Sequence, residues 1–451
     1  MLLHSLSALW ALFLGIAVIL LANGLQNALL GVRANMEAFP AWVTGVVMAG
    51  YFLGFLLGSI ITPRLVQRVG HVRVFGAFAS LASVAVLLHA LFVHPLPWFT
   101  MRLVTGFCFA ALYIVAESWL NERSDNHNRG SLLSLYMTIS LAGMGAGQFL
   151  LTVADPSGFD LFILVSVLIS LAVVPMLISA SPTPAFETPS KLSLQELYAI
   201  SPLGAIGAVG TGMSHGALFG MGAVVAREIG LALAEVSLFM GVVFLGGILL
   251  QFPIGRLSDR FDRRLVLTVV TFGAALAATG ALFSALLGNM LAVFVCMTLV
   301  GGTSLPLYAL VVSHSNDHLR LDQMVAASST LYFLVGLGAS LGPVLVGLAM
   351  SLQGPEAFFL WLILLHSAVG LFALYRMTRS PMVPLEEQGA YVPLAGSVTG
   401  AVGTAALVTE ALAEDEASET QAETGAEDEA NAPDWDGANT EVQGSAAPAP
   451  A

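Results

Sequence analysis

Long apolar stretches recur along most of the chain, and short polar interruptions separate them. About 20 apolar residues are needed for a helix to cross the hydrocarbon core of a bilayer. The first stretch has no basic segment before it and no small-residue cleavage site, so we expect a retained helix rather than a signal peptide. The pattern predicts twelve spanning helices, numbered 1 to 12, over residues 8–31, 41–62, 73–94, 97–120, 131–153, 159–179, 202–226, 233–254, 264–287, 289–313, 323–351 and 356–376.

The composition excludes a water-soluble globule. Of the 451 residues, 57% are hydrophobic and only 10% are charged, whereas about 25% of the residues in soluble domains are charged. Of the 29 acidic residues, 14 lie between Glu386 and Glu441, where there is no basic residue. Because no basic stripe is available to bind phosphates, nucleic acid is also excluded as a partner.

The basic residues are distributed unequally between the two ends of the helices. Thirteen of the 16 Lys and Arg residues fall on one face, where even-numbered helices end and odd-numbered ones begin, whereas Arg33 and Arg227 lie on the other face and Arg102 lies within helix 4. Basic residues are enriched in cytoplasmic loops. Since twelve is an even number, both termini are predicted to be cytoplasmic.

The helices fall into two similar sets. Residues 181–201 form the longest interruption, and Met101 to Gly106 align with Met297 to Gly302 at the same offset, 196 residues, as Tyr136 with Tyr332. We predict an all-α membrane protein with two pseudo-symmetric six-helix bundles, residues 1–180 and 202–378, joined by a cytoplasmic linker. Such repeats are typical of transporters that bind their substrate near the midplane. Residues 379–451 are predicted to be a disordered acidic cytoplasmic tail, because their composition cannot bury a core.

One loop carries a family motif. Residues Gly255 to Arg264, with the sequence GRLSDRFDRR, resemble the G-x-x-x-D-R-x-G-R-[KR] loop of the major facilitator superfamily, with Asp262 in place of the second glycine. The counterpart at residues 63–73 departs further, since Pro63 replaces its first glycine and Gln67 its acidic residue.

Helix 4 carries a second resemblance. Arg102 and Gly106 resemble the helix 4 signature of this family, and ESWL at Glu117 to Leu120, together with NRG at Asn128 to Gly130, is similar to a bacterial subgroup of permeases of unassigned substrate. The resemblance covers residues 8–378. It implies the major facilitator fold in a bacterial cytoplasmic (inner) membrane, with helices 1, 4, 7 and 10 lining a central cavity.

Polar residues within these helices are candidates for the substrate and proton pathway, because burying them in a membrane is costly. Arg102 is implied by the resemblance to lie near the pathway, although snorkelling to the outer surface would also satisfy it. His215 in helix 7 is either a proton- or substrate-binding group or a neutral imidazole bonded to a neighbouring helix. The amides of helix 1 share one face and serve either as cavity lining or as interhelical hydrogen-bonding groups. The helix 1 amides are Asn23, Gln26 and Asn27, and the remaining candidates are Tyr113, Tyr308 and Tyr332.

A second group of residues is expected to form a cytoplasmic gate. Glu117 lies fifteen residues from Arg102 on helix 4, about 22 Å away, so the two cannot pair. We expect Glu117 to pair with Arg68 or Arg129 instead, with plain loop anchoring as the alternative. In the second half, the gate candidates are Gly255, Asp259, Arg260, Arg263 and Arg264.

These features predict a secondary active transporter for a small-molecule substrate, with proton-coupled export of a drug-like or amphipathic compound as the leading subtype. Uptake of a neutral nutrient is one alternative, and a non-transporting sensor acting through the tail is another. The chain shows no catalytic set and no phosphate-binding loop with its lysine, so we expect neither an enzyme nor a cofactor. Cys108 and Cys296 lie apart in apolar runs, so no metal site is expected. The predicted partners are the substrate, protons and lipid, and the predicted oligomeric state is a monomer.

Overall fold

The structure is a computed structural model that describes residues 2–122, 129–178, 192–379, 381–384, 388–389 and 391. Most of the predicted linker, most of the predicted tail and the side chain of Arg129 lie outside the described residues. The described chain is helical throughout. Helices 1 to 12 run over Leu2–Met36, Ala41–Val69, His71–Leu91, Pro95–Glu122, Arg129–Phe149, Asp160–Ile178, Pro202–Glu228, Leu233–Ser258, Arg263–Leu286, Met290–Asn316 (in two pieces), Leu321–Gln353 and Ala357–Met377.

Twelve of the described helices are long and apolar enough to cross a bilayer, which confirms the predicted number. A further short helix, the linker helix Leu194–Ile200, precedes helix 7. Ser193 caps it, because the Ser193 hydroxyl accepts the backbone N–H of Glu196 while the Glu196 carboxylate accepts the backbone N–H of Ser193.

Helix 2 is longer than its apolar run. The sequence predicts an end at residue 62, but the helix continues through Pro63 to Val69, so the predicted loop is reduced to Gly70. Proline within a helix removes one hydrogen bond without always ending the helix. Gly70 has a φ of +90°, a conformation that favours glycine. The first copy of the family loop is therefore largely helical.

Helix 10 is interrupted where the apolar run predicts a continuous helix. Helix 10a runs over Met290–Ser304 and helix 10b over Leu307–Asn316. Pro306 lies at the break and has no backbone N–H to donate to the preceding turn. The break leaves the carbonyl of Ser304 available to a side chain from another helix.

Glycines let four pairs of helices approach backbone to backbone. A Cβ on Gly54 or Gly106 would overlap a carbonyl of the partner between helices 2 and 4, and Gly24 and Gly147 have the same role between helices 1 and 5. The same contacts recur six helices later, between helices 8 and 10 and between helices 7 and 11, at Gly246, Gly301, Gly212, Gly216, Gly338 and Gly342. Close approach of this kind stabilises helix packing in membranes.

The first six helices contact the last six mainly at one end. We call the end where helix 1 begins and helix 12 ends the termini face, and the opposite end the distal face. Near the distal face, Gly31 packs against Ala223, and Gly45 packs against the carbonyl of Pro343. The backbone N–H of Trp42 also donates to the Ser351 hydroxyl at 2.9 Å. These contacts seal the distal end between the two halves.

Candidate functional site

A buried polar cluster joins helices 1, 2 and 4. The Asn23 side-chain amide donates to the Tyr51 hydroxyl at 2.9 Å and to the Tyr113 hydroxyl at 3.0 Å. Asn27, one turn further along helix 1, donates to the Asn23 carbonyl oxygen at 3.3 Å. All four side chains are buried. Helix 1 therefore presents two linked amides to the tyrosines of its neighbours.

Arg102 belongs to the same cluster. Its side chain is 0% exposed, so the guanidinium lies inside the protein rather than at the outer surface. Its Nη2 donates to the Asn27 side-chain oxygen at 2.8 Å, and its Cζ lies 4.4 Å from the centroid of the Tyr51 ring. Among the described residues, Nε and Nη1 of Arg102 have no hydrogen-bond partner.

Aromatic rings continue from this cluster toward the second half. Phe55 of helix 2 lies between Tyr51, Tyr113 and Tyr332, with ring centroids 6.0, 6.1 and 6.4 Å away. Tyr308 of helix 10b lies edge-on to Tyr332 of helix 11, at 6.4 Å. Within the described chain, the hydroxyls of Tyr308 and Tyr332 are buried without hydrogen-bond partners. These rings form an aromatic bridge between the two halves.

Glu117 lies on the termini side of this bridge. Its side chain is buried, and the Tyr136 hydroxyl donates to Glu117 Oε1 at 2.9 Å. Arg68, one of the two gate partners expected from the sequence, is exposed at the end of helix 2. The structure thus brings Glu117 together with a tyrosine of helix 5.

His215 contacts the break in helix 10. Its Nε2 donates to the Ser304 carbonyl at 3.0 Å, which leaves Nδ1 without a hydrogen-bond partner among the described residues. His366 of helix 12 bonds the Ser304 hydroxyl at 2.8 Å and the Ser214 hydroxyl at 3.2 Å. Ser304 therefore links two buried histidines from helices 7 and 12.

The loop between helices 8 and 9 holds two buried arginines. Arg263 forms an ion pair with Asp317 at the end of helix 10b, and Arg264 Nη2 lies 2.8 Å from Asp262 Oδ2. Asp262 also caps helix 9, because its carboxylate accepts the backbone N–H of Arg264. Burial alone would raise the pKa of Asp262, but the hydrogen bonds and charge of Arg264 lower it below its usual value. Burial raises the pKa of Asp317 to about 6 against the opposing charge of Arg263.

The chain after helix 12 folds back onto this loop. Arg264 Nη1 donates to the Pro381 carbonyl at 3.0 Å, and Arg263 donates to the Gly389 carbonyl. The backbone N–H of Tyr391 donates to Asp259 Oδ1 at 2.7 Å. The described residues between 381 and 391, which we call the return segment, therefore cover the predicted gate loop.

Several site residues were missed from the sequence, and one predicted residue is separate from the cluster. Tyr51 was missed, although a lone hydroxyl in the middle of an apolar helix was a usable signal. Asp317 and His366 were also missed, since their partners lie more than 50 residues away in the sequence. Gln26, predicted on the same face as Asn23, is buried but takes part in none of the cluster's hydrogen bonds.

In the part of the chain that the structure describes, no group of three or more His, Cys, Asp or Glu residues is placed to hold a metal ion. Cys108 and Cys296 are both free thiols.

Comparison with known proteins places these features in a family. Residues 12–205 and 204–413 each match the family model described as Major Facilitator Superfamily. The chain is 28% identical over 374 residues to the uncharacterized MFS-type transporter YcaD of Escherichia fergusonii, an alignment that covers 82% of this chain and 96% of the relative.

Its fold is similar to the crystal structure of the nucleoside transporter NupG, with a TM-score of 0.66, 12% identity and coverage of 82% and 98% of the two chains. It is also similar to a bacterial homolog of the human lysosomal transporter Spinster in an inward-facing and occupied conformation, with a TM-score of 0.64, 15% identity and coverage of 84% and 97%.

Replacing Tyr136 by Phe should destabilise the protein by about 1–3 kcal/mol, because it removes a donor from the buried Glu117 carboxylate. Tyr308→Phe is the matched control, since that hydroxyl is equally buried and bonds no described group. The melting temperatures of the two purified variants in detergent measure the difference. Equal melting temperatures would show that the Tyr136 hydroxyl does not stabilise Glu117.

Proposed function

The chain belongs to the major facilitator superfamily, and we propose that it is a secondary active transporter that moves a small organic solute by alternating access. Twelve membrane helices and the family match support this class of function. The proposal includes cytoplasmic termini in a bacterial inner membrane, which the thirteen basic residues on one face support.

The polar cluster at Arg102 and the aromatic bridge beside it carry the proposal. A membrane protein that needed only a stable core would gain nothing from burying hydroxyl, amide and guanidinium groups without partners. Among the described residues, the hydroxyls of Tyr308 and Tyr332 without partners lie where Tyr332 meets Phe55 of the first half, and Arg102 adjoins Phe55 through the Tyr51 ring. The contacts near the distal face hold the two halves together at one end. A bound solute would satisfy these groups, and rocking of the halves would expose the solute to each side in turn.

The solute we propose is amphipathic, and its export is coupled to protons. Rings dominate the bridge and provide apolar contact, while the cluster provides hydrogen bonds for one polar end of the solute. We assign proton binding to His215, because no described group bonds its Nδ1 and because helix 7 is expected to line the cavity. The gate at the termini face comprises Glu117 in the first half and the helix 8–9 loop in the second.

A disulfide across the distal seal should stop transport reversibly. A Cβ on Gly31 would lie 3.0 Å from the Ala223 Cβ, close to the separation of about 3.5–4.5 Å in disulfides. We expect the double variant Gly31→Cys/Ala223→Cys, with Cys108 and Cys296 replaced by alanine, to be inactive when oxidised and active when reduced. The measurement is uptake of radiolabelled adenosine, fucose and benzoate into proteoliposomes under a pH gradient.

The single variant Ala223→Cys, treated identically, controls for oxidation of other groups. At least one solute should enter proteoliposomes faster than empty liposomes when they contain the reduced double variant or the single variant. The oxidised double variant should show no such uptake. Transport that continued at the same rate after oxidation would contradict alternating access through this seal, and an absence of uptake of every solute would contradict the proposed function.

His215→Gln should flatten the pH dependence of uptake between about pH 5.5 and 8.5, a window that brackets the ordinary histidine pKa. Glutamine keeps hydrogen-bonding capacity but cannot take up a proton, so solute binding should persist. His89→Gln is the control, because His89 Nδ1 bonds the Ala85 carbonyl of its own helix, helix 3, which is not among the helices expected to line the cavity. A pH profile unchanged by His215→Gln would remove His215 from the proton pathway.

A further inference from the structure

Arg102 differs from the other buried arginines in its partners. Arg263 and Arg264 each pair with a carboxylate. Among the described residues, no Asp or Glu side chain pairs with Arg102, which is also 0% exposed. An ionised group buried without a counter-charge is costly by several kcal/mol. The fold keeps that cost beside the aromatic bridge, which Arg102 reaches through the Tyr51 ring.

The arginine is also poorly satisfied as a hydrogen-bond donor. Guanidinium has five N–H donors, and the only hydrogen bond of the Arg102 side chain in the described chain goes to Asn27. The remaining donors match the two oxygens of a carboxylate, which arginine binds in bidentate fashion. The Tyr51 ring lies against the guanidinium and holds its plane in position.

We infer that Arg102 binds the single carboxylate of an amphipathic organic monoanion whose apolar body packs on the aromatic bridge of Phe55, Tyr113 and Tyr332. This inference rests on the proposed function and names its substrate class. One internal cation balances one negative charge, so a dianion would be bound less well. The aromatic bridge lies next to the cation, because the Tyr51 ring contacts both Arg102 and Phe55.

Asn27→Asp provides the sharpest test. The substitution is isosteric and puts a carboxylate where the Asn27 oxygen lies 2.8 Å from Arg102 Nη2. The protein then supplies its own counter-charge, so the fold should be retained while the anion is excluded. Arg102→Gln is the complementary variant, because it removes the cation and keeps an amide.

The experiment measures the melting temperature of the purified full chain at pH 7.5 with increasing benzoate, phenylacetate or 3-phenylpropionate. The corresponding amides are the neutral controls, and phthalate is the dianion control. We expect at least one monocarboxylate to raise the melting temperature of the parent, since a ligand that binds the folded state stabilises it. The amides should have no such effect, and both variants should bind the carboxylate about tenfold or more weakly, as the loss of one charge-assisted pair predicts.

Any of three results would overturn the inference. The amides could stabilise the protein as strongly as the acids, both variants could respond as strongly as the parent, or no monocarboxylate could raise the melting temperature. The proposed function has a separate readout in the disulfide-sensitive uptake. If neutral adenosine or fucose passes that test while every carboxylate fails here, the substrate class is wrong and the transporter function stands.

A second inference rests on a different observation, the return segment after helix 12. Three backbone groups of this segment bond three predicted gate residues, Asp259, Arg263 and Arg264. Its Tyr391 ring lies directly over the fourth, Gly255, where a Cβ would be only 2.5 Å from Tyr391 Cδ1. Among the gate residues predicted in this half, Arg260 and the remainder of the Asp259 side chain stay exposed beside it.

The return segment therefore occupies hydrogen-bonding groups that the gate would need in order to close. Its contacts with the loop all lie within the second half, on helices 8 and 9 and the loop between them. We propose that the return segment is an autoinhibitory latch that holds the gate loop while the distal face is sealed. Release of the latch frees the Asp259 oxygen and the Arg263 N–H that bond the segment, while Arg263 keeps its ion pair with Asp317, and the transporter then reaches the state with the distal face open.

Gly255 and Tyr391 allow a double-mutant cycle in the full chain. Tyr391→Ala removes the ring, and Gly255→Ala displaces it by steric overlap, so each should release the latch. The combination should have no further effect, because the alanine at position 255 then has no ring to displace. Tyr391→Phe is the control, since the Tyr391 hydroxyl bonds no described group.

Opening of the distal face is measured by labelling Met48→Cys with a membrane-impermeant maleimide, in a Cys108→Ala/Cys296→Ala background. Met48 is buried in the seal, where it packs beside Gly220 of helix 7. We expect each single variant to be labelled about three- to tenfold faster than the parent, because each removes part of the apolar contact between the Tyr391 ring and the gate loop. Additive effects in the double variant, or labelling at the parent rate in both single variants, would overturn the proposal.

Discussion

Backbone contact between helices at glycine is the constraint on which the rest of this structure depends. In lipid there is no hydrophobic driving force between helices, so they are held by close packing and by hydrogen bonds. Gly54 and Gly106 bring helices 2 and 4 together until the backbone of each meets a carbonyl of the other. Gly50 lies on the same face and meets Arg102 directly. The short distance between Tyr51 and the guanidinium is a result of this packing.

The buried arginines differ in whether a carboxylate lies beside them, and this difference separates structural from functional positions. At the termini face, Arg263 and Arg264 are buried beside carboxylates, and Arg263 joins the ends of helices 8, 9 and 10b through Asp259 and Asp317. Losing one partner of such a pair is strongly destabilising, so these residues hold the fold as well as the gate. Arg102 is held by an amide and an aromatic ring, which position it without neutralising it. A charge left in this state is available to a ligand.

The sequence was a good guide to the helices and a poorer guide to their contacts. Hydropathy located all twelve helices, because the length of an apolar run is a local property. It misplaced the end of helix 2, since residues 63–69, which include Arg64, Gln67 and Arg68, continue the helix beyond the apolar run. It also missed the break in helix 10, where Leu305 and Pro306 lie inside a continuous apolar run.

Among the site residues, the sequence predicted the polar face of helix 1 and the cation of helix 4 as separate features. The hydrogen bond from Arg102 to Asn27 joins these two features. It depends on the packing of helix 1 against helix 4, because the two residues are 75 positions apart in the sequence. The same reason explains why Gln26 was grouped with Asn23 although it is outside the cluster. The return segment gave no signal, because its bonds to the gate loop use backbone groups, which any sequence provides.

The broken helix 10 has a mechanical consequence. Helix 10a is pinned at its last residue, where His215 and His366 both bond Ser304. Helix 10b is held at its far end by Arg263, which bonds the Ser313 carbonyl and Asp317. The break at Pro306 therefore lies between two anchored positions, Ser304 and Asp317. Tyr308 lies two residues beyond the break, so its place in the aromatic bridge is set by bonds made outside the bridge.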